Sequence, residues 1–297
     1  MSLRDFALLV AMCLVWAFNT IVSKIVIADW HVPPLFYAGV RFAVVMACTL
    51  PWLFPAPRPL WRLIVVSQLI GGANFALMFV ALKTASPSAA SIVVQLGVPM
   101  TTALSMVMLG EQVRWRRGIG MALTLAGAIS VMWRPEGMHM TAGLWLVAAA
   151  AFAGSLGAVM MKQMESVKPL QFQAWVGATS ALPLLGVSVL TETNQVPAAL
   201  EAGWKYVAAV LFSAIVVSVI AHTTYYRLIQ KYEATLLSPL TLLTPLFTII
   251  LGVLVTHDNF DARMGVGAVL ALAGVLIVAL RPNHVMPLLL LMRNRVQ

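Results

Sequence analysis

Apolar runs of about twenty residues, joined by connections too short to hold a soluble domain, fill almost the whole of this sequence. A run of that length is what an α-helix needs to cross roughly 30 Å of hydrocarbon. In hydrocarbon the backbone must satisfy its own hydrogen bonds, and a helix does so within one segment. On that rule ten spans are expected, near residues 6–28, 35–55, 63–82, 89–109, 118–133, 142–162, 170–190, 205–228, 234–255 and 264–281. The connections carry proline, asparagine or charge, as in "DWHVPP", "PAPRPLW", "EQVRWRR" and "TETNQVP". Only 10% of residues are charged and 61% are hydrophobic. A soluble chain would carry about 25% charge and could not cover so much apolar surface. The expected fold class is an all-α integral membrane protein. The N-terminal "MSLRDFALLVAMCLVWAF" resembles a signal peptide, but its apolar run continues to Ala28 without a clear cleavage site. It reads as the first span.

Orientation follows from Lys and Arg near the span ends. With the N-terminus inside, 13 basic residues collect on the inner side and 5 on the outer, leaving Arg41 within a span. Both termini are therefore expected in the cytoplasm. The net charge of +9 then reflects basic inner loops, and no nucleic-acid partner is expected. Residues 283–297 read as a cytoplasmic tail, with Arg293 and Arg295 near anionic headgroups. Cys13 and Cys48 fall inside apolar spans and read as small core hydrophobes.

The chain is written twice. "GIGMALTLAGAISVMWRP" (118–135) and "GVGAVLALAGVLIVALRP" (265–282) share nine of eighteen residues, among them Gly118/Gly265, Gly120/Gly267, Gly127/Gly274 and Pro135/Pro282. Upstream, "LGVPMTTAL" lies over "LLTPLFTII", pairing Pro99 with Pro245 and Thr102 with Thr248. Spans 1–5 thus recur as spans 6–10. Because five is odd, the second copy enters the membrane from the opposite side, an arrangement typical of transporters with a midplane site between the halves. The expected units are a first five-helix repeat over 1–137 and a second over 138–282.

These motifs resemble the drug/metabolite transporter superfamily, and within it the EamA-type exporters. The resemblance rests on "LGVPMTTALSMVMLGEQVRWRRGIGMALTLAGAISV", with "WAFNTIVSK" and "GVRFAVV" in the first two spans. It implies a ten-helix exporter of amino acids or related metabolites in the inner membrane of a Gram-negative bacterium. The second half departs from the pattern: "VTHDNF" stands where "GE" is expected, and Gly177 falls opposite Arg41.

All ten acidic residues lie in loops or at span ends. Ion-coupled carriers commonly hold a carboxylate mid-membrane, so uncoupled, facilitated movement is expected. No CxxC, HExxH or GxxxxGK[ST] occurs, so no metal, cofactor or enzymatic activity is expected. Ser88, Ser91, Gln95, Pro99 and Thr102 share a helix face, and Ser238, Thr241, Thr244, Pro245 and Thr248 stand at or beside the matching places. A proline frees a backbone carbonyl one turn earlier, which is tolerable only against protein or a water-filled cavity. Pro99 and Pro245 are expected to bend their helices, with Arg41 in a gating role. Arg41 has three further readings: a site for a substrate carboxylate, a partner for loop acids, and snorkelling to the interface. Trp16, Asn19, Asn74, Met78, Phe79, Ser91, Gln95, Trp175, His222, Tyr225, Ser238, Thr241 and Thr244 make up the expected cavity lining. Apolar and aromatic walls with a few polar groups suit neutral amino acids with apolar side chains. The expected protein is a monomer in the bilayer, carrying a small-molecule substrate by alternating access. A multidrug exporter of cationic metabolites and a channel are the alternatives.

Overall fold

The computed structural model describes residues 2–110, 115–134, 139–140, 142–164, 167–232, 237 and 240–279. We number the helices α1 Leu3–Asp29, α2 Pro34–Trp52, α3 Leu60–Ala81, α4 Pro87–Leu109, α5 Trp115–Met132, α6 Ala142–Met161, α7 Pro169–Thr191, α8 Trp204–Tyr225 (running on to Lys231), α9 Leu243–Val255 and α10 Ala262–Ala279. Among the described residues eight of these are long and apolar enough to cross a membrane. The others are α9, an apolar helix of 13 residues, and α5, whose first turn carries Arg116 and Arg117. Proline stands first in α2, α4 and α7, where its missing N–H costs nothing. Gly110, at φ +67°, takes the left-handed conformation that ends α4.

The connections hold two features absent from the expected spans. In "TETNQVP" the chain turns at left-handed Asn194 and forms a short helix, Gln195–Ala202, which stops at Gly203. Trp133–Arg134 and His139–Met140 pair as a two-stranded antiparallel ribbon between α5 and α6. The boundary expected between 137 and 138, and the tail 283–297, lie outside the described residues. The outer surface of the bundle is apolar, with Leu182, Val189 and Leu190 each more than 70% exposed. That surface corrects one expectation. Cys13 is buried, but Cys48 is exposed, because a thiol facing hydrocarbon gains nothing by burial.

A close backbone-to-backbone contact joins α5 to α10. A Cβ added at Gly127 would stand 2.5 Å from the Ala271 nitrogen and the Gly267 oxygen. One added at Gly120 would stand 2.7 Å from the Gly274 oxygen. Real Cβ atoms do not come so close, so only glycine fits. Gly120 faces Gly274 and Gly127 faces Gly267, so the helices run antiparallel, and each repeated glycine meets the twin of the other. Thr124 closes the seam, donating to the Gly120 carbonyl at 2.9 Å and reaching the Ala271 carbonyl at 3.5 Å. A second antiparallel pair, α2 and α7, approaches closely at Gly39 against Leu185 and at Gly177 against Met46. Helix α1 packs on α9 as α6 packs on α4. Exchanging the two halves maps each of these pairings onto another or onto itself.

Some of the irregular turns are doubled too. Helices α3 and α8 each open into wide, π-type turns, at Gln68–Ala73 and Phe212–Ala221. Helix α4 tightens into a 3₁₀ turn at Val94–Leu96, just before Pro99, and a turn at residues 241–242 precedes the start of α9 and Pro245. A side chain from the other half answers a backbone carbonyl at each proline break. Ser155 of α6 donates to the Gly97 carbonyl at 2.9 Å, and the Cys13 thiol of α1 points at the Leu240 carbonyl at 3.8 Å.

Charged groups work at the helix ends. The Glu192 carboxylate accepts from the backbone N–H groups of Leu35 and Phe36, both at 2.9 Å, and so caps α2. Asp258 accepts from the Ser88 N–H at 2.8 Å and hydroxyl at 2.5 Å, and so caps α4. Lys24 donates to the Leu82 and Ala85 carbonyls at the end of α3. Each sign meets the helix end of opposite partial charge. At the start of α1, Asp5 accepts from Lys231 at 2.6 Å and Tyr232 at 2.5 Å.

Three outcomes follow for purified protein in detergent. Gly127→Leu should lower the unfolding free energy by about 1–3 kcal/mol or more, since no neighbouring backbone can retreat. Gly118→Ala, with nothing within 4 Å of its added Cβ, should stay within about 0.5 kcal/mol of the parent. Glu192→Ala should cost about 0.5–2 kcal/mol through the lost cap. Denaturant titration followed by circular dichroism reads all three.

Candidate functional site

Between the halves lies a cavity of about 300 Å³. It is walled by Trp16 of α1, Phe42 of α2, Ile70, Asn74 and Phe75 of α3, Gly154 of α6, Phe172, Gln173 and Val176 of α7, and Ser218, His222 and Tyr225 of α8. The wide turns of α3 and α8 face it with Ile70 and Ser218, consistent with the frequent use of such turns at functional sites. In α8, Ser218, His222 and Tyr225 stand four and three residues apart and so share a face.

Aromatic rings dominate the lining. Trp16 packs its indole against His222, with centroids 5.3 Å apart, and edge-on to Tyr225 at 5.1 Å. Phe75 stands edge-on to Phe42 at 5.4 Å. The polar groups are few, and several are already committed. Asn74 donates to the Ala150 carbonyl at 2.6 Å, in a gap that Gly154 keeps open. His222 Nδ1 lies 2.8 Å from the Val217 carbonyl. A carbonyl only accepts, so Nδ1 holds the proton and Nε2 of the neutral ring is left as an acceptor. The Trp16 indole N–H is buried without a hydrogen-bond partner. No carboxylate is among the lining residues.

Arg41 stands one layer behind this wall. It is fully buried, so it does not snorkel. Its guanidinium stacks on the Phe75 ring at 4.3 Å, with Phe42 and Phe79 within 6 Å. It donates from Nε and Nη2 to the Ser218 hydroxyl, at 3.3 and 2.9 Å.

Of the expected lining residues, the structure brings Trp16, Asn74, His222 and Tyr225 together. Asn19 is buried nearby and accepts from the Ser213 hydroxyl at 2.7 Å. Phe79 is buried against Tyr37, their rings stacked 5.1 Å apart, and Met78 packs on the apolar core. Trp175 donates to the Leu53 carbonyl at 3.2 Å, away from the cavity. The stripe on α4 and α9 does not reach this cavity: no lining residue comes from either helix. Ser91 bonds its own helix at the Ser88 carbonyl, Gln95 and Thr241 lie at the turns before Pro99 and Pro245, and the Thr244 hydroxyl is buried without a partner. Thr102 and Thr248 bond back to Val98 and Thr244, each at 2.9 Å. Ser238 lies outside the described residues. Phe42, Ile70, Phe75, Gly154, Phe172, Gln173, Val176 and Ser218 line the cavity without having been singled out in the sequence. Only Ser218 carried a usable signal, its four-residue spacing from His222.

Comparison with known proteins agrees with this architecture. The sequence profile of the EamA-like transporter family matches the chain twice, over residues 5–133 and 140–280. A probable amino-acid metabolite efflux pump of Salmonella typhimurium is 27% identical, over 93% of this chain and 95% of that protein. Its counterpart in Escherichia coli is 25% identical over the same shares. An uncharacterized transporter of Bacillus subtilis is 23% identical, over 93% and 91%. One solved crystal structure superposes with a TM-score of 0.62, over 93% of this chain and 96% of that one, and at 21% identity it speaks for the fold alone. With profile matches spanning nearly its whole length and its set of apolar helices, the chain is a multi-pass protein of the bacterial inner membrane and belongs to the EamA-like transporter family.

Proposed function

We propose that this protein exports neutral amino acids or related small metabolites by alternating access, with ten membrane helices in two inverted repeats and both termini cytoplasmic. The observation that carries the reading is the cavity, which is walled by helices of both halves. Its volume of about 300 Å³ sits at the small end of the range for small-molecule sites. Its aromatic walls favour an apolar or aromatic side chain. His222 Nε2 is an acceptor of the kind an ammonium group needs, and the Trp16 N–H is a free donor. The relatives named as amino-acid metabolite efflux pumps support the substrate class.

The twin packing of the halves suits rocking of one against the other about the α5–α10 seam, with α4 and α9 as the bent elements beside it. Transport is uncoupled in this reading, because no lining residue is a carboxylate. An intramembrane acid is the usual carrier of a coupled proton.

Proteoliposomes loaded with labelled threonine, methionine or phenylalanine test this directly. Efflux above empty-vesicle controls is expected for at least one of them, without a pH gradient. Absence of efflux across the panel would refute the amino-acid assignment. Flux that requires an imposed pH gradient would refute uncoupled transport alone.

A further inference from the structure

Arg41 is a permanent charge held wholly out of water, and its neutralisation is unexplained. Among the described residues no carboxylate pairs with it: its contacts are the Ser218 hydroxyl and the faces of Phe42, Phe75 and Phe79. Its Nη1 is buried with no hydrogen-bond partner. Cation–π contact with three rings compensates part of the desolvation. A neutral hydroxyl that serves both Nε and Nη2 is a poor substitute for a carboxylate, which accepts from a guanidinium in a two-pronged fork. Two of the groups Arg41 touches, Phe75 and Ser218, also line the cavity. Membrane charges that lack a fixed partner are expensive, and they tend to serve substrates or ions.

We propose that Arg41 is the counter-charge for a carboxylate on the transported molecule, so that the substrate class is that of small acids or zwitterions with an apolar side chain. This rests on the export reading above and deepens it. In the loaded state the carboxylate accepts from the guanidinium in place of the Ser218 hydroxyl, and the orphaned Nη1 gains its acceptor. The aromatic rings around Arg41 keep the charge desolvated, which strengthens its attraction for an anion. Its placement behind the wall accounts for selectivity: a neutral amide of the same shape offers no charge to offset the guanidinium, and a cation is repelled. The seventh helix, α7, has Gly177 where a second arginine would stand, so the site takes one carboxylate and is not symmetric.

The test uses the full-length protein in detergent. Its thermal unfolding is followed with L-phenylalanine, 3-phenylpropionate and 3-phenylpropionamide as added probes. Both acids should raise the melting temperature, and the amide should need roughly ten- to a hundredfold more ligand for the same shift. Arg41→Gln should abolish that preference while leaving the unliganded melting temperature unchanged or higher, because it removes an unpaired buried charge. A purely structural arginine would instead lower it. Arg41→Lys, which keeps the charge but not the fork, should retain the preference at weaker affinity. Equal response of the parent protein to acid and amide overturns the proposal, with no variant needed. So does a shift from none of the acids, and so does a preference that survives in Arg41→Gln. The two readings separate cleanly. Acid-selective binding without liposome efflux leaves the carboxylate site standing and removes the export reading. Efflux with equal binding of acid and amide does the reverse.

Discussion

Helices already dissolved in hydrocarbon gain nothing by hiding apolar side chains from one another. Lipid tails are as apolar as leucine, so association must come from close packing and from polar groups that find partners. The seam between α5 and α10 supplies the first. Backbone meets backbone at Gly120, Gly127, Gly267 and Gly274, and dispersion contacts there are not spaced apart by side chains. With α5 and α10 locked, the last helix of each half is fixed against its counterpart. The remaining pairings, α1 with α9, α6 with α4 and α2 with α7, then form across the same boundary.

The second requirement is met largely at the helix ends. Glu192 and Asp258 sit just beyond helices of the second half and cap helices of the first, while Lys24 closes a carbonyl end of α3. The acids absent from the cavity lining are thus doing work elsewhere, as ties between copies. Inside the bundle several polar groups are spent locally, such as Ser155 on Gly97 and Thr102 on Val98. What is left at the centre is an apolar chamber with few uncommitted hydrogen-bonding atoms, and a cation close behind it.

The membrane class and the doubled pattern could be read from residues because both depend on composition and spacing. The glycine twins survive in the sequence for a physical reason: a Cβ at Gly127 or Gly274 would collide with backbone. Prolines 99 and 245 mark real breaks, but what surrounds a break is a tertiary matter. The polar stripe of α4 pointed to a transport path, whereas the hydroxyls of Ser91 and Thr102 are satisfied by their own helix and that of Ser88 by Asp258. Trp16, Asn74, His222 and Tyr225 stood out as polar or large groups in apolar spans, and they do meet. Phe42, Phe172 and Val176 did not stand out, because an apolar residue facing a cavity looks like one facing lipid. The wide turns of α3 and α8 left no local mark, since neither Gln68–Ala73 nor Phe212–Ala221 contains a proline. The depth of Arg41 was missed for a related reason. Counting residues to the end of α2 suggests that it reaches the interface, yet the rings of Phe75 and Phe79, far along the chain, enclose it.

Because Gly120 and Gly127 occupy the same positions in the first copy as Gly267 and Gly274 do in the second, the close-packing glycines of α5 recur on α10, although Thr124 and Ser130 stand where α10 has Ala271 and Ile277. Such a glycine pattern is complementary to itself. Two first copies would present each other with the same glycines, in the same antiparallel sense, as the first and second copies do now. The stoichiometry of one of each is therefore not written into the seam. It is imposed by the covalent link between the halves, which lets the first half keep Arg41 behind the cavity wall where the second half has Gly177.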